Sequence, residues 1–274
     1  MKIENSLFNL DGGAFIVTGG LGFLGKAHCH AIAAFGGTPV IIDLNIKEGE
    51  LIKSEIKEKY NIQLELFEGD ITSKISLDRI CKKINRNYKI CGLVNNAARN
   101  PLVTKNGLEN SSRLEIFKLE DWEKDIKVGL TGSFLCTQVF GTHMSENDGG
   151  SIVNISSDLG IISPKQSLYE IEGVDKNNQP VKPITYSVVK SGLIGLTKYT
   201  STYWPKKVRA NCICPGGILN SQSEDFLQKV NSEIPLGRLA NLDEYSGILI
   251  YLLSNASSYM NGSIISVDGG RTAW

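Results

Sequence analysis

The chain has 274 residues, of which 41% are hydrophobic and 21% are charged, a composition typical of a globular protein. Its 29 Lys and Arg residues balance its 29 Asp and Glu residues, so net charge gives no reason to expect nucleic acid or a membrane surface as a partner. The polar N-terminal segment lacks an apolar signal-peptide core, and no apolar stretch reaches the length of a bilayer span. These features predict a cytoplasmic protein.

Apolar segments of strand length alternate with amphipathic segments of helix length along the chain. The predicted strands are Ala14–Thr18, Thr38–Asp43, Gln63–Glu68, Gly92–Asn95, Ser151–Ser156, Val208–Cys214 and Ser263–Val267. The predicted helices are Lys26–Phe35, Glu48–Tyr60, Ser76–Asn85, Trp122–Thr142, Tyr186–Tyr203 and Asp243–Leu253. Such alternation, with right-handed crossovers, predicts an α/β fold. We expect one domain over residues 1–274, a Rossmann-type doubly wound parallel sheet with helices on both faces.

The cysteines and histidines do not form a metal-binding pattern. None of the six cysteines belongs to a Cys-x-x-Cys pair, and Cys212 and Cys214 lie within a predicted strand. We therefore expect free thiols in a reducing compartment. His28 and His30 are two residues apart on a predicted helix and so point in different directions. No metal is predicted.

A glycine-rich turn joins the first predicted strand to the first predicted helix. Its sequence is Thr18-Gly19-Gly20-Leu21-Gly22-Phe23-Leu24-Gly25. Small residues permit a tight turn and let the backbone approach a pyrophosphate, while the helix N-terminus supplies unpaired N–H groups. A purely structural glycine turn is the alternative, but a strand before it and a helix after it favour dinucleotide binding.

Asp43 ends the second predicted strand, where a carboxylate can accept hydrogen bonds from the adenosine ribose hydroxyls. The same charge repels a 2′-phosphate, and no Lys or Arg directly follows it. The sequence therefore predicts NAD as the cofactor, in preference to NADP. The alternative is a helix-capping or turn aspartate.

Several motifs in a fixed order resemble those of the short-chain dehydrogenase/reductase family, in its compact single-domain branch. The motifs are TGGLGFLG at 18–25, Asp70-Ile71, Asn95-Asn96-Ala97-Ala98, the serine of NISS at Ser157, the YxxxK pair Tyr186 and Lys190, Pro215-Gly216-Gly217, and Val267-Asp268-Gly269-Gly270. The resemblance extends from about Leu7 to Gly270. It implies that the cofactor contacts Gly19, Gly20, Leu21, Gly22, Phe23, Leu24, Asp43, Asp70, Ile71, Asn96, Ala97, Tyr186, Lys190, Pro215, Gly216, Gly217 and Ile218.

The resemblance also implies that Ser157, Tyr186 and Lys190 are catalytic, and their chemistry supports these roles. Tyr186 and Lys190 are four residues apart at the start of a predicted helix and share a face. A nearby ammonium lowers the pKa of a phenol, so Tyr186 can exchange a proton with a substrate hydroxyl. Ser157 would bond the substrate oxygen as its charge changes. Tyr169 is a rival proton donor, but the residue four positions later is Gly173.

Two features depart from the family pattern. Gly129 stands where the family has a helix asparagine that takes part in a proton relay through water. Ser157 and Tyr186 are 29 residues apart, roughly twice the usual spacing, so we expect an insertion at about 164–183. Its residues Tyr169, Glu170, Lys176, Asn177, Asn178 and Gln179 could hydrogen-bond a polyhydroxylated ligand. A lid or specificity loop is one interpretation, and a solvated loop is the other.

The sequence thus predicts an NAD-dependent oxidoreductase that interconverts a secondary alcohol and a ketone, with a polar sugar or nucleotide-sugar substrate. The stretch YEIEG at 169–173, followed by YSVVKSGLIGLTKY, also resembles bacterial family members linked to flagellin or surface-sugar modification. Two alternatives remain open: a non-catalytic NAD-binding regulator, and a sugar epimerase or dehydratase of the wider superfamily. Family resemblance further implies a homo-oligomer, a tetramer or dimer. Arg99, Asn100, Lys105 and Arg113 could face an anionic substrate, although a solvated loop is the simpler interpretation.

Overall fold

Seven parallel strands form the central sheet in the computed structural model, which describes residues 5–99 and 112–274. The strands are β1 (Gly13–Thr18), β2 (Thr38–Asp43), β3 (Glu65–Glu68), β4 (Lys89–Asn95), β5 (Gly150–Ile155), β6 (Val208–Pro215) and β7 (Ile264–Val267). Their spatial order is β3-β2-β1-β4-β5-β6-β7. The order reverses between β1 and β4, and this reversal opens a crevice beyond the carboxyl ends of these two strands.

Helices cover the sheet and connect its strands. They are α1 (Phe23–Ala34), α2 (Gly49–Tyr60), α3 (Lys74–Ile84), α4 (Leu119–Ile126), α5 (Ser133–Cys136), α6 (Thr142–Glu146), α7 (Ile184–Tyr203), α8 (Glu224–Asn231) and α9 (Ser246–Leu253). Two π-helical turns, Lys127–Gly132 and Thr137–Gly141, join α4, α5 and α6 into one continuous helical segment. None of the described helices is both long and apolar enough to cross a membrane.

Successive side chains of each strand pack into different cores because they point to opposite faces of the sheet. Val17 and Ile41 pack with Ile32 of α1 in one core, which also contains residues of α2 and α9. Ile16 and Val40 pack in the other core, with residues of α3 and the α5–α6 segment. The predicted doubly wound sheet with helices on both faces is therefore confirmed.

The predicted elements are found with shifted ends, and one helix was not predicted. Helix α1 begins at Phe23 instead of Lys26, directly within the glycine turn. The predicted helix Asp243–Leu253 divides into a 3₁₀ turn, Leu242–Tyr245, and α9. Helix α8 was not predicted; the Ser223 hydroxyl caps it by accepting a hydrogen bond from the Phe226 N–H.

A chain of buried amide and hydroxyl groups ties the sheet to the long helices. Asn95 Nδ2 of β4 donates to Asn154 Oδ1 of β5 at 2.8 Å, and Asn154 Nδ2 donates to Thr197 Oγ1 of α7 at 2.8 Å. Asn95 Nδ2 also donates to Thr137 Oγ1 at 3.1 Å. All four residues are buried, so a lost partner leaves a polar group without water.

We expect Asn154→Ala to lower the free energy of unfolding by about 2–3 kcal/mol, because Asn95 and Thr197 each lose a buried partner. Urea denaturation followed by circular dichroism measures the change. Asn178→Ala, at an exposed position, is the matched control and should stay within about 0.5 kcal/mol of the native protein. Equal stability of the two variants would show that the amide chain contributes little.

Candidate active site

One cavity of about 1210 Å³ lies at the carboxyl ends of the strands and receives nearly every predicted site residue. The predicted residues that line it are Gly19, Leu21, Gly22, Phe23, Leu24, Asp43, Asp70, Ile71, Asn96, Ala97, Ser157, Tyr186, Lys190, Pro215, Gly216, Gly217 and Ile218. Gly20 is not among the lining residues. A Cβ at Gly20 would lie 2.7 Å from Ile41 Cγ1, so its small size serves packing against β2.

The backbone of the glycine turn packs closely against itself and against the end of β4, which is possible because Gly19 and Gly25 have no side chains. Gly19 has φ +61°, and a Cβ there would lie 3.0 Å from Ala97 Cα at the end of β4. A Cβ at Gly25 would lie 2.4 Å from Gly19 O. Helix α1 begins at Phe23 with Gly22 at its N-cap, and Gly22, Phe23 and Leu24 line the cavity at the helix N-terminus, where backbone N–H groups lack partners within the helix. This cradle fits the pyrophosphate of a dinucleotide.

Backbone and hydroxyl donors hold two aspartates of the cavity lining in place. Asp43 Oδ2 accepts a hydrogen bond from the Leu21 N–H at 3.1 Å, and Asp43 Oδ1 accepts one from the Leu44 N–H at 2.8 Å. Asp70 Oδ1 accepts hydrogen bonds from the backbone and hydroxyl of Thr72, both at 2.8 Å. The Asp43 carboxylate is therefore fixed beside the glycine turn, as its predicted contact with ribose requires.

Asn96 holds the glycine turn against β4. Its Nδ2 donates to Thr18 O at 3.0 Å and to Gly19 O at 3.1 Å. The Thr18 hydroxyl accepts hydrogen bonds from the backbone N–H groups of Asn96 and Ala97, both at 3.1 Å. The Asn96 side chain thus shapes the cradle by binding protein backbone.

Ser157, Tyr186 and Lys190 meet in the same cavity, where β5 ends and α7 begins. Lys190 Nζ donates to Ile155 O at 2.8 Å, and burial lowers the pKa of this lysine to about 8. Burial raises the pKa of Tyr186 to about 12, the hydrogen bond with Ser157 acts in the opposite direction, and the Asp158 charge raises it further. The phenolate form of Tyr186 is therefore disfavoured unless a nearby cation stabilises it.

Comparison with known proteins agrees with this geometry. A family model described as enoyl-(acyl carrier protein) reductase matches residues 23–272. The chain belongs to the short-chain dehydrogenase/reductase family. A 3-oxoacyl-(acyl-carrier-protein) reductase of Aquifex aeolicus is 32% identical, over 95% of this chain and 98% of the relative. The family assignment makes the protein an NAD(P)-dependent oxidoreductase.

Other similar proteins carry different names. An NADP-dependent mannitol dehydrogenase of Alternaria alternata is 29% identical, over 96% of this chain and 94% of its own. The post-translational flagellin modification protein A of Campylobacter coli is 28% identical, over 95% and 98%. A solved gluconate 5-dehydrogenase of Burkholderia cenocepacia, in complex with NADP and tartrate, has a TM-score of 0.83 at 23% identity and 98% coverage of both chains.

A buried ion pair that the sequence analysis did not identify lies beside Ser157. Asp158 Oδ1 accepts hydrogen bonds from the Ser157 hydroxyl at 2.7 Å and the Leu159 N–H at 2.8 Å. Asp158 Oδ2 binds Arg271 Nη1 at 2.7 Å, and both side chains are at most 9% exposed. The C-terminal turn after β7 therefore reaches back to orient the serine. The sequence offered one signal of this ion pair: Asp158 directly follows Ser157, and Arg271 directly follows the closing Gly269-Gly270 motif.

Close packing against α7 explains why glycine stands at position 129, where the family pattern has asparagine. A Cβ there would lie 2.5 Å from Val189 Cγ1, so the space that a side chain needs is filled by the residue before Lys190. Gly129 O accepts a hydrogen bond from the Ser133 hydroxyl at 2.8 Å. An asparagine at 129 would require the Val189 side chain to change its conformation or the two helical segments to move apart.

The insertion folds over the cavity, and only part of it supplies residues to the site. Tyr169 and Lys182 line the cavity, and the Tyr169 ring lies 5.7 Å from the Phe226 ring of α8. The rest of its polar set lies outside the lining, so ligand contact by these residues stays a prediction: Glu170, Lys176, Asn177, Asn178 and Gln179. The Gln179 side-chain amide, for example, hydrogen-bonds the backbone of Ile171 and Val174.

Of the polar and basic residues that we expected to face an anionic substrate, one lines the cavity and another binds the insertion. Arg99 lines the cavity and pairs with Asp125 at 3.1 Å. Arg113 Nη1 donates to the carbonyls of Lys176 and Gln179, so it holds the insertion. Asn100 and Lys105 lie outside the described residues. Among residues 5–99 and 112–274, no group of three or more His, Cys, Asp or Glu side chains could hold a metal ion.

We expect Arg271→Met to lower the free energy of unfolding by about 3–5 kcal/mol, because it leaves the Asp158 carboxylate buried and unpaired. Urea denaturation at neutral pH measures the loss. Exposed Arg86→Met is the control for removing an arginine. The double variant Asp158→Asn/Arg271→Met should regain at least half of the loss, since no buried charge remains. If the double variant is as unstable as Arg271→Met, the unpaired charge is not the cause.

Proposed function

We propose that the protein is an NAD-dependent oxidoreductase that interconverts a secondary alcohol and a ketone on a polar, sugar-like substrate. One observation carries the proposal: Ser157, Tyr186 and Lys190 line the same cavity as the glycine cradle. The glycine cradle would hold the pyrophosphate of a dinucleotide, whose nicotinamide would then lie toward the carboxyl ends of β4, β5 and β6. This is where the proton-transferring side chains are placed.

The roles of the three residues follow from their chemistry. The nicotinamide supplies the hydride acceptor in oxidation and the donor in reduction. Tyr186, as phenolate, takes the proton of the substrate hydroxyl in oxidation and returns one to the carbonyl oxygen in reduction. Lys190 stabilises the phenolate with its ammonium, which the Ile155 carbonyl holds in place. The Ser157 hydroxyl, which donates to Asp158 Oδ1 in this structure, would turn to donate its single proton to the same substrate oxygen as that oxygen gains charge.

A polar substrate suits the part of the cavity beyond the catalytic residues. The insertion contributes Tyr169 and Lys182, and the loop after β6 contributes Asn220 and Gln222. Phe226 and Leu239 add apolar surface, as expected of a site that also contacts the carbon skeleton of a sugar. A family relative that is named for mannitol points to the same class of polyhydroxylated compounds.

We also propose that the protein is a homodimer or homotetramer in the cytoplasm. Large apolar side chains are exposed on the long helices, with Phe134 of α5 48% exposed and Tyr199 of α7 66% exposed. Burial of such side chains favours self-association. All six cysteines are free thiols, as expected in a reducing compartment. Sedimentation equilibrium would measure the subunit number, and a monomer at micromolar concentration would contradict this part.

The first test is turnover with a panel of sugars, polyols, sugar phosphates, nucleotide sugars and simple secondary alcohols, followed by reduced-cofactor absorbance. We expect activity on one carbohydrate class, reduced about 100-fold to 10,000-fold in Tyr186→Phe because the proton acceptor is lost. Tyr259→Phe, at a fully exposed tyrosine, should keep native turnover. Measurable NAD binding with no turnover in either direction would favour the non-catalytic alternative, and full activity of Tyr186→Phe would overturn the mechanism.

The preference for NAD rests on the fixed Asp43 carboxylate, although similar proteins are named for NADP. We expect native kcat/KM to be higher with NAD, and Asp43→Ser to lower the NAD-to-NADP ratio at least about tenfold by removing the charge that repels a 2′-phosphate. Steady-state kinetics with both cofactors measures the ratio. Glu48→Ser, which removes an exposed carboxylate outside the cavity lining, should leave it unchanged. A native preference for NADP would contradict the assignment.

A further inference from the structure

Lys182 is a second lysine at the proton-transfer site that no motif had indicated. It precedes Tyr186 by four residues, as Lys190 follows it by four. Helix α7 begins at Ile184, so Lys182 lies just before the helix, at the end of the insertion. Its side chain is 8% exposed and lines the catalytic cavity.

The ammonium of Lys182 lies closer to the Tyr186 ring than that of Lys190. Lys182 Nζ is 4.0 Å from the ring centroid, and Lys190 Nζ is 5.7 Å from it. Lys190 Nζ also donates to Ile155 O, which holds it toward β5. A cation over an aromatic face orients the ring and favours the anionic form of a phenol.

The insertion is anchored so that Lys182 stays in this position. The Lys182 N–H donates to Gln166 Oε1 at 2.9 Å, and the Ser112 hydroxyl donates to Val181 O at 2.5 Å. Earlier in the insertion, Leu168 packs with Val230 and other apolar residues of α8 and the segment that follows it. These contacts fix both ends of the segment that leads into Tyr186.

Charged and titratable groups surround the pair on several elements. Asp158 after β5, Lys190 on α7, Tyr169 in the insertion and Tyr245 before α9 act electrostatically on Lys182 or Tyr186, and Arg271 in the C-terminal turn acts on Tyr169. Burial lowers the pKa of Lys182 to about 8, while Asp158 raises it and Lys190 lowers it. Lys182 is therefore charged below about pH 8 and loses its charge above that.

From this juxtaposition we infer that Lys182 is a positioning residue that acts through Tyr186, holding the ring and stabilising its phenolate with an ammonium over the ring face. The inference rests on the proposed function, in which Tyr186 exchanges the proton. The insertion then has a role in proton transfer because it delivers this cation. Two lysines, one before and one after Tyr186 in the sequence, share the stabilisation.

The first test needs neither substrate nor cofactor. Protein labelled with 3-fluorotyrosine, whose phenol is more acidic than that of tyrosine, is titrated by ¹⁹F NMR, and the Tyr186 signal is assigned by its absence in Tyr186→Phe. We expect the pKa of fluorinated Tyr186 to be about one unit lower in Lys182→Arg than in Lys182→Met, because arginine keeps a permanent charge over the ring. Equal values in two folded variants would overturn the inference, whether or not the enzyme proves active.

The second test is the pH profile of kcat/KM for alcohol oxidation, with the substrate that the panel identifies. Since the native Lys182 is charged only below about pH 8, Lys182→Met should lose about tenfold near pH 6.5, equivalent to about one pKa unit of Tyr186, and approach native activity near pH 9.5. Lys182→Arg should restore most of the loss. Lys176→Met, which removes an exposed charge from the same insertion, should match the native profile.

The outcomes separate this role from others. A loss in Lys182→Met that is equal at all pH values indicates a structural role, and a rise in KM with unchanged kcat indicates a substrate anchor; either result overturns the inference. A difference between the Arg and Met variants by ¹⁹F NMR, in a protein with no turnover on any substrate, would support the effect on Tyr186 while contradicting the proposed function.

Discussion

The reversal of strand order between β1 and β4 is the constraint on which the site depends. Parallel strands place all their carboxyl ends at one edge of the sheet, and helices that leave in opposite directions open a crevice there. The glycine turn after β1, Ala97 after β4 and Ser157 after β5 consequently face one cavity, although they lie far apart in the sequence. Close contacts stabilise the shape of the crevice. Asn96 hydrogen-bonds the backbone of the glycine turn, and the glycines let the backbone segments approach one another.

Burial controls the electrostatics of this cavity. It disfavours every charged form, so it lowers the pKa of Lys182 and Lys190 to about 8 and raises that of Tyr186 to about 12. The neutral phenol and the two lysines are therefore poised for a change in which a phenolate forms beside ammonium groups. Asp158 opposes that change by its charge, but its pairing with Arg271 satisfies one carboxylate oxygen and leaves the other to orient Ser157.

The sequence was sufficient for the fold and for most of the cavity because those features depend on local patterns. Continuous apolar runs of strand length located the strands, amphipathic segments of helix length located most of the helices, and the family motifs located the cradle and the Tyr186–Lys190 pair. Contacts between distant segments were not predictable. Arg271 and Asp158 are 113 positions apart in the sequence, and Tyr169 contacts Phe226 only once the insertion has folded. Local patterns in a single sequence do not indicate such long-range pairs. Helix α8 was missed because it is short and polar, with one fully buried residue, Val230.

Gly129 and the insertion together explain how this site differs from the family pattern. Val189 Cγ1 occupies the space that the Cβ of an asparagine at 129 would need, between α7 and the π-helical turn. The polar groups next to Tyr186 include Ser157 at the end of β5, Lys190 on α7 and Lys182 in the insertion. An insertion whose two ends are fixed at Ser157 and Tyr186 can place a side chain such as Lys182 against the phenol without altering the sheet. These two departures from the family pattern therefore lie in one loop and one helix contact, and neither involves the glycines of the cofactor cradle.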